Sequence, residues 1–298
     1  MLSIVPVLYE DKDVLVVNKP AGLVVHADGR TKEPTLVDWL LNHYPEIQGV
    51  GDSFFVKGKL SKVNGPERIL ERSGVVHRLD RETSGALVIA KNQKTFLFLK
   101  KQFQNRAIEK IYRAFVYGEV NPSAGGGTGV IDRPIARSKN DFRKWTAMRG
   151  RRGAERQAIT EYKVLARIPA PPRPARRGGR GGADEGFSLL EVMPKTGRTH
   201  QIRAHLKAIN HPVVCDKLYA PRKNCLPAAP ARAERAGGQG TAQAGALGFK
   251  RLALHALSIA LTLPSGKPLK VEAPYPKDFE RALKIINQAP PVKNQRAG

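Results

Sequence analysis

The chain has 298 residues and carries 51 Lys and Arg against 26 Asp and Glu, a formal net charge of +25 with a pI of about 10.4. Such an excess suits a polyanionic partner, nucleic acid or an anionic membrane face, and exceeds what an ordinary enzyme surface carries. No apolar run approaches the roughly 20 residues a spanning helix needs, and the opening MLSIVPVLYEDKD lacks the basic and apolar regions of a secretion signal, so the expectation is a cytoplasmic protein with no membrane contact.

Val5 to Tyr9 and Val14 to Val17 read as two strands joined by the turn Glu10-Asp11-Lys12-Asp13, with Lys19-Pro20-Ala21-Gly22 ending the second. Leu36, Val37, Leu40 and Leu41 then recur at helical spacing, with Thr35 as N-cap and His43-Tyr44-Pro45 as the stop. Gly85 to Ala90 (GALVIA) is an apolar run of strand length, and Phe96, Leu99 and Phe103 repeat at helical spacing after it. Tyr112 to Val120 alternates, and further strands are readable at Ile159 to Leu165, Phe187 to Val192, Leu257 to Leu263 and Leu269 to Ala273. Strands outnumber helices without regular β-α alternation. This predicts an α+β fold on a mixed, largely antiparallel β-sheet with flanking helices, and argues against a doubly wound nucleotide-binding fold.

Three segments interrupt the pattern, at about 121–129, 169–186 and 221–248, rich in Gly, Pro, Ala and Arg. Their composition buries too little apolar surface to offset the entropy of ordering, so they read as surface loops within a single domain of residues 1–290, followed by a flexible tail at 291–298. Residues 133 to 182 hold 15 Lys or Arg and 3 Asp or Glu, which is 12 of the 25 excess charges, and the polyanion contact is therefore expected to be lopsided. The Arg-Gly run at 176–182 is either a solvated insertion or an auxiliary contact for single-stranded RNA.

Two cysteines, Cys215 and Cys225, form no CxxC pair and have no histidine cluster beside them, so two free thiols and no metal are expected. His200 and His205 in HQIRAH lack the spacing of a zinc protease motif. The stretch VVHRLDRETSG, Val75 to Gly85, invites comparison with a protein-kinase catalytic loop, but Leu79 intervenes between Arg78 and Asp80 and no downstream Asn follows. No Gly-rich phosphate loop or DFG sequence is present, which excludes phosphoryl transfer of that kind. A carboxylate between Arg78 and Arg81 is held in its charged form, suited to act as a nucleophile or base and unsuited to act as an acid. Taken alone, such an Asp is more simply a turn-stabilising partner of its arginines.

In MPKTGRTHQIRAHL, Met193 to Leu206, a turn at Thr196-Gly197 leads into a helix from about Thr199, and Arg198, Arg203 and Lys207 present donors suited to carboxylate or phosphate. EKIYRAFVYGEV places Tyr112 on an alternating strand. Together HRLDRETSG, KIYRAFVYGEV, TGRTHQIRAHL and LALHALSIALTLPSGKPLKVEAPYPKDF follow one another in the order and approximate spacing of one family, and VLYEDKDVLVVNKPAGLVVH is similar to its first motif. The sequence strongly resembles an RluA-family pseudouridine synthase of the ribosomal large-subunit type, from about residue 5 to about residue 280.

The resemblance implies the pseudouridine synthase catalytic fold with a central RNA-binding cleft, and the isomerisation of uridine in RNA without a cofactor. The base is detached from ribose at N1, turned, and rejoined through C5. Asp80 matches the family's catalytic aspartate, Arg203 the arginine that pairs with it, and Tyr112 the tyrosine that stacks on the target base. Arg198 or Arg203 could serve as the pairing arginine on charge alone, and the motif match favours Arg203. Arg78 looks like the arginine that enters the space left by an extruded nucleotide. His77 and Arg81 belong to the same substrate-binding loop, His77 shaping it, and Leu254 lies in an apolar pocket motif. The expected partner is ribosomal RNA or tRNA, with no obligate protein partner and a monomeric state. The separate RNA-binding domain that precedes many members' catalytic domain is expected to be absent. The rival reading is a non-catalytic RNA-binding or ribosome-assembly protein that retains the fold, which would have lost Asp80, Tyr112 or Arg203.

Overall fold

The computed structural model describes residues 4–27, 33–56, 68–122, 127–168, 186–220 and 247–288. In chain order these form β1 (Val7–Glu10), β2 (Val14–Lys19), α1 (Leu36–His43), β3 (Ser53–Val56), β4 (Arg68–Glu71), β5 (Ser84–Ala90), α2 (Gln93–Gln104) and β6 (Glu109–Tyr117). There follow β7 (Thr128–Asp132), β8 (Ile135–Ser138), β9 (Trp145–Thr146), β10 (Arg151–Arg156), β11 (Ile159–Ile168), β12 (Phe187–Pro194) and α3 (Gln201–Ala208). The last elements are β13 (Leu254–Thr262), β14 (Pro268–Glu272) and α4 (Lys277–Gln288). The architecture is α+β on a mixed, mostly antiparallel sheet. The chain divides into two compact units, Met1–Lys110 with Ala256–Pro274, and Ile111–His255 with Tyr275–Gly298.

In the first unit the strand order is β1-β2-β5-β13, with β14 paired to β13. The turn between β1 and β2 is fixed by Asp11, whose carboxylate accepts from the backbone N–H groups of Asp13 and Val14 at 2.8 and 2.6 Å. Both β2 and β5 are buried almost throughout, which explains why they read as continuous apolar runs instead of alternating. Helix α1 starts where its sequence said it should. Thr35 Oγ1 accepts from Asp38 N while the Asp38 carboxylate accepts from Thr35 N, a reciprocal capping box. Asn92 caps α2 through Thr95 N, and Phe96 and Leu99 turn inward from that helix. Gln102 ties α2 to β13 by donating to the Thr262 carbonyl and accepting from its N–H.

In the second unit the order is β6-β12-β11-β7, antiparallel at the pairs β6/β12, β12/β11 and β11/β7. A core of Phe115, Leu190, Val192, Leu206, Val213, Phe249 and Phe279 fills it, with Phe279 of α4 packed edge-on against Phe115 and Phe249. Strand β7 begins at Thr128, inside the segment that reads as a loop from composition. A separate antiparallel sheet of order β10-β8-β9 carries much of the positive charge found between residues 133 and 156. Cys215 departs from the sequence expectation, being disulfide-bonded and not a free thiol. Cys225 lies outside the described residues, as do most of the three low-complexity segments and the tail. Among the described residues no helix is long and apolar enough to cross a membrane.

Candidate active site

The loop that carries Asp80 in the first unit is anchored from below. Lys19, at the end of β2, is fully buried, and its ammonium donates to the carbonyls of Pro20 (2.9 Å), Leu23 (2.8 Å) and Arg81 (3.0 Å). Burying an ammonium is costly unless its donors are satisfied, so these three carbonyls are what makes Lys19 tolerable there. Gly22 N donates to the same Arg81 carbonyl at 2.8 Å, and Arg81 Nε returns a bond to the Gly22 carbonyl at 3.1 Å. The segment after β2 and the Asp80 loop are thereby stitched into one piece. Thr83 N closes the turn onto the Asp80 carbonyl at 3.1 Å, and Leu79, Thr83 and Ser84 are buried around it.

The two arginines that flank Asp80 in sequence are engaged elsewhere. Arg81 pairs with Glu33, and exposed Arg78 places Nη1 3.4 Å from His26 Nε2. His77 Nε2 accepts from Val88 N at 3.0 Å, which fixes the ring against β5, with Phe103 of α2 beside it at 4.8 Å between ring centres. Desolvation, with the charge of Lys110 in second place, depresses its pKa to about 3. His77 is therefore neutral at physiological pH. Lys110, next but one to Tyr112, has its own pKa lowered to about 8 by burial.

In the second unit, Tyr112 lies on β6 opposite Val192 of β12 and packs partly buried against the main core. Leu254, the first residue of β13, is buried in that core. The TGRTHQIR segment is organised by Gln201, a residue sequence reading passed over. Its Oε1 accepts from Arg198 N (3.0 Å) and Thr196 Oγ1 (2.7 Å), and its Nε2 donates to the Ile159 carbonyl (2.9 Å) and Thr160 Oγ1 (3.0 Å). His205 sits below it, fully buried between Thr160 Oγ1 and the Arg133 carbonyl. Desolvation lowers its pKa, and as a neutral ring it donates to that carbonyl through Nε2 and accepts the Thr160 hydroxyl at Nδ1. Helix α3 is thus locked to β11 before any substrate arrives.

That locking separates the two candidate arginines. Arg198 is only half-buried and donates through Nε to the Gln157 carbonyl at 3.1 Å. Arg203 is buried at 7% exposure and forms a two-pronged pair with Asp216, Nε to Oδ2 at 2.7 Å and Nη2 to Oδ1 at 2.8 Å, with the Tyr219 ring centre 5.1 Å from its Cζ. Asp216 and Tyr219 carried no sequence signal, since HPVVCDKLYA has neither periodicity nor a paired motif. Among the described residues no three His, Cys, Asp or Glu stand together in a way that could hold a metal ion.

The first unit thus holds an anchored carboxylate loop, and the second holds a buried arginine paired with Asp216 and covered by Tyr219. Residues 13–208 match the family model described as RNA pseudouridylate synthase, and the chain belongs to that family. It is an isomerase that acts on RNA. It is 34% identical over 281 residues to a ribosomal large subunit pseudouridine synthase D of Zymomonas mobilis, covering 94% of this chain and 72% of that protein. It is 37% identical over 222 residues to an uncharacterized RNA pseudouridine synthase of Aquifex aeolicus, covering 74% of this chain and 58%, less than two thirds, of that one. The solved structure of human RNA pseudouridylate synthase domain containing 4 shares the fold with a TM-score of 0.60 at 24% identity, covering 95% of this chain and 93% of that one.

Proposed function

We propose that this chain converts uridine to pseudouridine in a structured RNA of the large-subunit ribosomal type, with tRNA as the alternative substrate, and that it does so as a cytoplasmic monomer with Asp80, Tyr112 and Arg203 as its active-site residues. The observation that carries the reading is that all three stand at the motif positions of a family to which the chain belongs over residues 13–208. The name of the Zymomonas relative supports ribosomal RNA as the target.

In the proposed reaction the N1–C1′ bond of the target uridine breaks, the base turns, and a C5–C1′ bond forms while the C5 proton is released and N1 takes up a proton. Asp80, as the ionised form, attacks C1′ or takes the C2′ proton. Arg203 supports that charge, and Tyr112 replaces the stacking that the base loses on leaving its helix. His77 shapes the loop, while Arg78, Arg81 and Arg198 contact the nucleotide strand and Leu254 lines the apolar side of the pocket.

RNA affinity comes from the basic sheet as well. Trp145 on β9 lies 4.7 Å from Arg137 Cζ and 6.0 Å from Arg156 Cζ, and Phe142 beside it is 71% exposed. Cations held over a partly buried tryptophan, with an exposed phenylalanine nearby in sequence, suit a phosphate backbone with splayed bases.

The test is a pseudouridine map of unmodified ribosomal and transfer RNA transcripts after incubation with wild type and with Asp80→Ala, read as carbodiimide-dependent reverse-transcription stops. New stops with wild type alone are the expected result. If neither protein yields stops while both bind RNA, the non-catalytic RNA-binding reading takes over.

A further inference from the structure

Four donors converge on the buried carboxylate of Asp216, which is 1% exposed. Oδ2 accepts from Arg203 Nε at 2.7 Å, and Oδ1 accepts from Arg203 Nη2 at 2.8 Å and from the backbone N–H groups of Leu218 and Tyr219 at 2.9 and 3.0 Å. The two backbone bonds tie the carboxylate to its own turn, so its position is set by the chain and not by the arginine. Tyr219, three residues on, covers the guanidinium face, and its hydroxyl is itself pinned by donating to the Trp145 carbonyl (2.8 Å) and accepting from Trp145 N (3.0 Å). Arg203 is therefore gripped at one edge and one face.

We propose that Asp216 is a positioning residue for the isomerisation, holding the Arg203 guanidinium in its working orientation before RNA binds. The proposal rests on the reading of Arg203 as an active-site residue. Stability alone does not account for the pair, because a buried ion pair is seldom worth more than well-packed apolar groups of the same volume. Orientation does account for it. A long, rotamer-rich side chain that must meet a developing charge serves the reaction best when its geometry is fixed in advance.

The asymmetry of the two oxygens supplies the variant. In Asp216→Asn, Oδ1 keeps the bonds from Leu218 N and Tyr219 N, while the amide NH2 faces Arg203 Nε, a donor against a donor. The rate is read under single-turnover conditions at saturating RNA as tritium release from ribosomal and transfer RNA transcripts labelled at uridine C5. RNA affinity is read by filter binding. The Arg203 Nε–H is followed by arginine ¹⁵N NMR, assigned by its disappearance in Arg203→Gln.

Asp216→Asn is expected to bind RNA within about twofold of wild type, to isomerise it ~10- to 100-fold more slowly, the cost of a small misplacement, and to show faster solvent exchange at Arg203 Nε–H. Asp216→Glu, which keeps the charge, is expected to recover part of the rate, and it carries the test if Asp216→Asn does not fold. A wild-type rate in Asp216→Asn beside a mobilised Arg203 overturns the proposal, and so does a slow variant whose Arg203 signal is unchanged. Arg203→Gln turning over at the wild-type rate would instead remove the reading of Arg203 on which the proposal stands.

Discussion

Replacing Gly85 by Ala tests how tightly the Asp80 loop is packed into the first unit. Gly85 opens β5 with φ of +118°, a conformation that L side chains rarely adopt, and a Cβ there would lie 2.1 Å from the Ala256 carbonyl oxygen and 2.7 Å from both Ala256 C and Ala256 N on β13. No rotamer relieves a contact with backbone, so the two strands must part. Strain at such a φ costs about 1–3 kcal/mol, and forced overpacking costs about 1–3 kcal/mol more. Together they come to roughly 2–6 kcal/mol, a large share of the 5–15 kcal/mol by which a domain is stable.

Gly22 provides the control, because it also has positive φ, +88°, but nothing lies within 4 Å of its missing Cβ. Gly22→Ala should cost only about 1–3 kcal/mol, the strain contribution by itself. Urea denaturation followed by far-UV circular dichroism, with hydrogen exchange at the β5 amides to identify which unit opens, measures both variants. Equal costs for Gly85→Ala and Gly22→Ala would show that close approach of β5 to β13 is not what requires glycine.

Three other variants probe separate parts of the same argument. Lys19→Met removes the donor shared by the carbonyls of Pro20, Leu23 and Arg81 and should cost roughly 3 kcal/mol in urea denaturation, with loss of isomerisation at temperatures where the fold persists; a fully active Lys19→Met would detach that lysine from the Asp80 loop. His77, depressed from 6.5 to about 3, binds its proton in the unfolded chain before the folded one, so its contribution is complete above pH 6.5 and is lost as pH falls toward 3. On going from pH 7 to pH 5 wild type should lose up to about 2 kcal/mol more than His77→Gln, which keeps an acceptor for Val88 N without titrating; parallel stability curves for the two proteins would sink the assignment. Arg137→Gln and Arg156→Gln should each lower the slope of log affinity against log salt by about 1 for RNA, with little effect on the rate at saturation, whereas an unchanged slope would take the β8-β9-β10 sheet out of the RNA contact.

Much of the first unit was legible because its signals are local. Thr35 as the cap of α1, the spacing of Phe96, Leu99 and Phe103 on α2, and the apolar run of β5 each state their structure within a few residues. The strands β8 to β10 were not legible, since a sheet of RRGAER and its neighbours exposes charges along most of β10 and so has no alternation to detect. Helix α4 carried a readable signal, Phe279, Ala282, Leu283 and Ile286 at helical spacing, which was obscured by treating the segment as a motif. At the site, the sequence named Asp80, Tyr112 and Arg203 because motifs keep their residues close together. It could not name Lys19, Gln201 or Asp216, whose roles depend on carbonyls and donors brought near by folding. Nor could it foresee that Arg78 and Arg81 turn to His26 and Glu33.

The first unit is completed only by residues 256–274, and this has a consequence for synthesis on the ribosome. β5 gains β2 on one side early, but its other neighbour, β13, begins at Leu254. At ~5–20 residues per second the intervening chain takes on the order of ten to thirty seconds to emerge. Throughout that interval Ser84–Ala90, a wholly buried strand in the finished protein, presents an open edge of the kind that templates aggregation. The hazard ends when Leu254–Thr262 emerges to cover that edge, close to the end of synthesis.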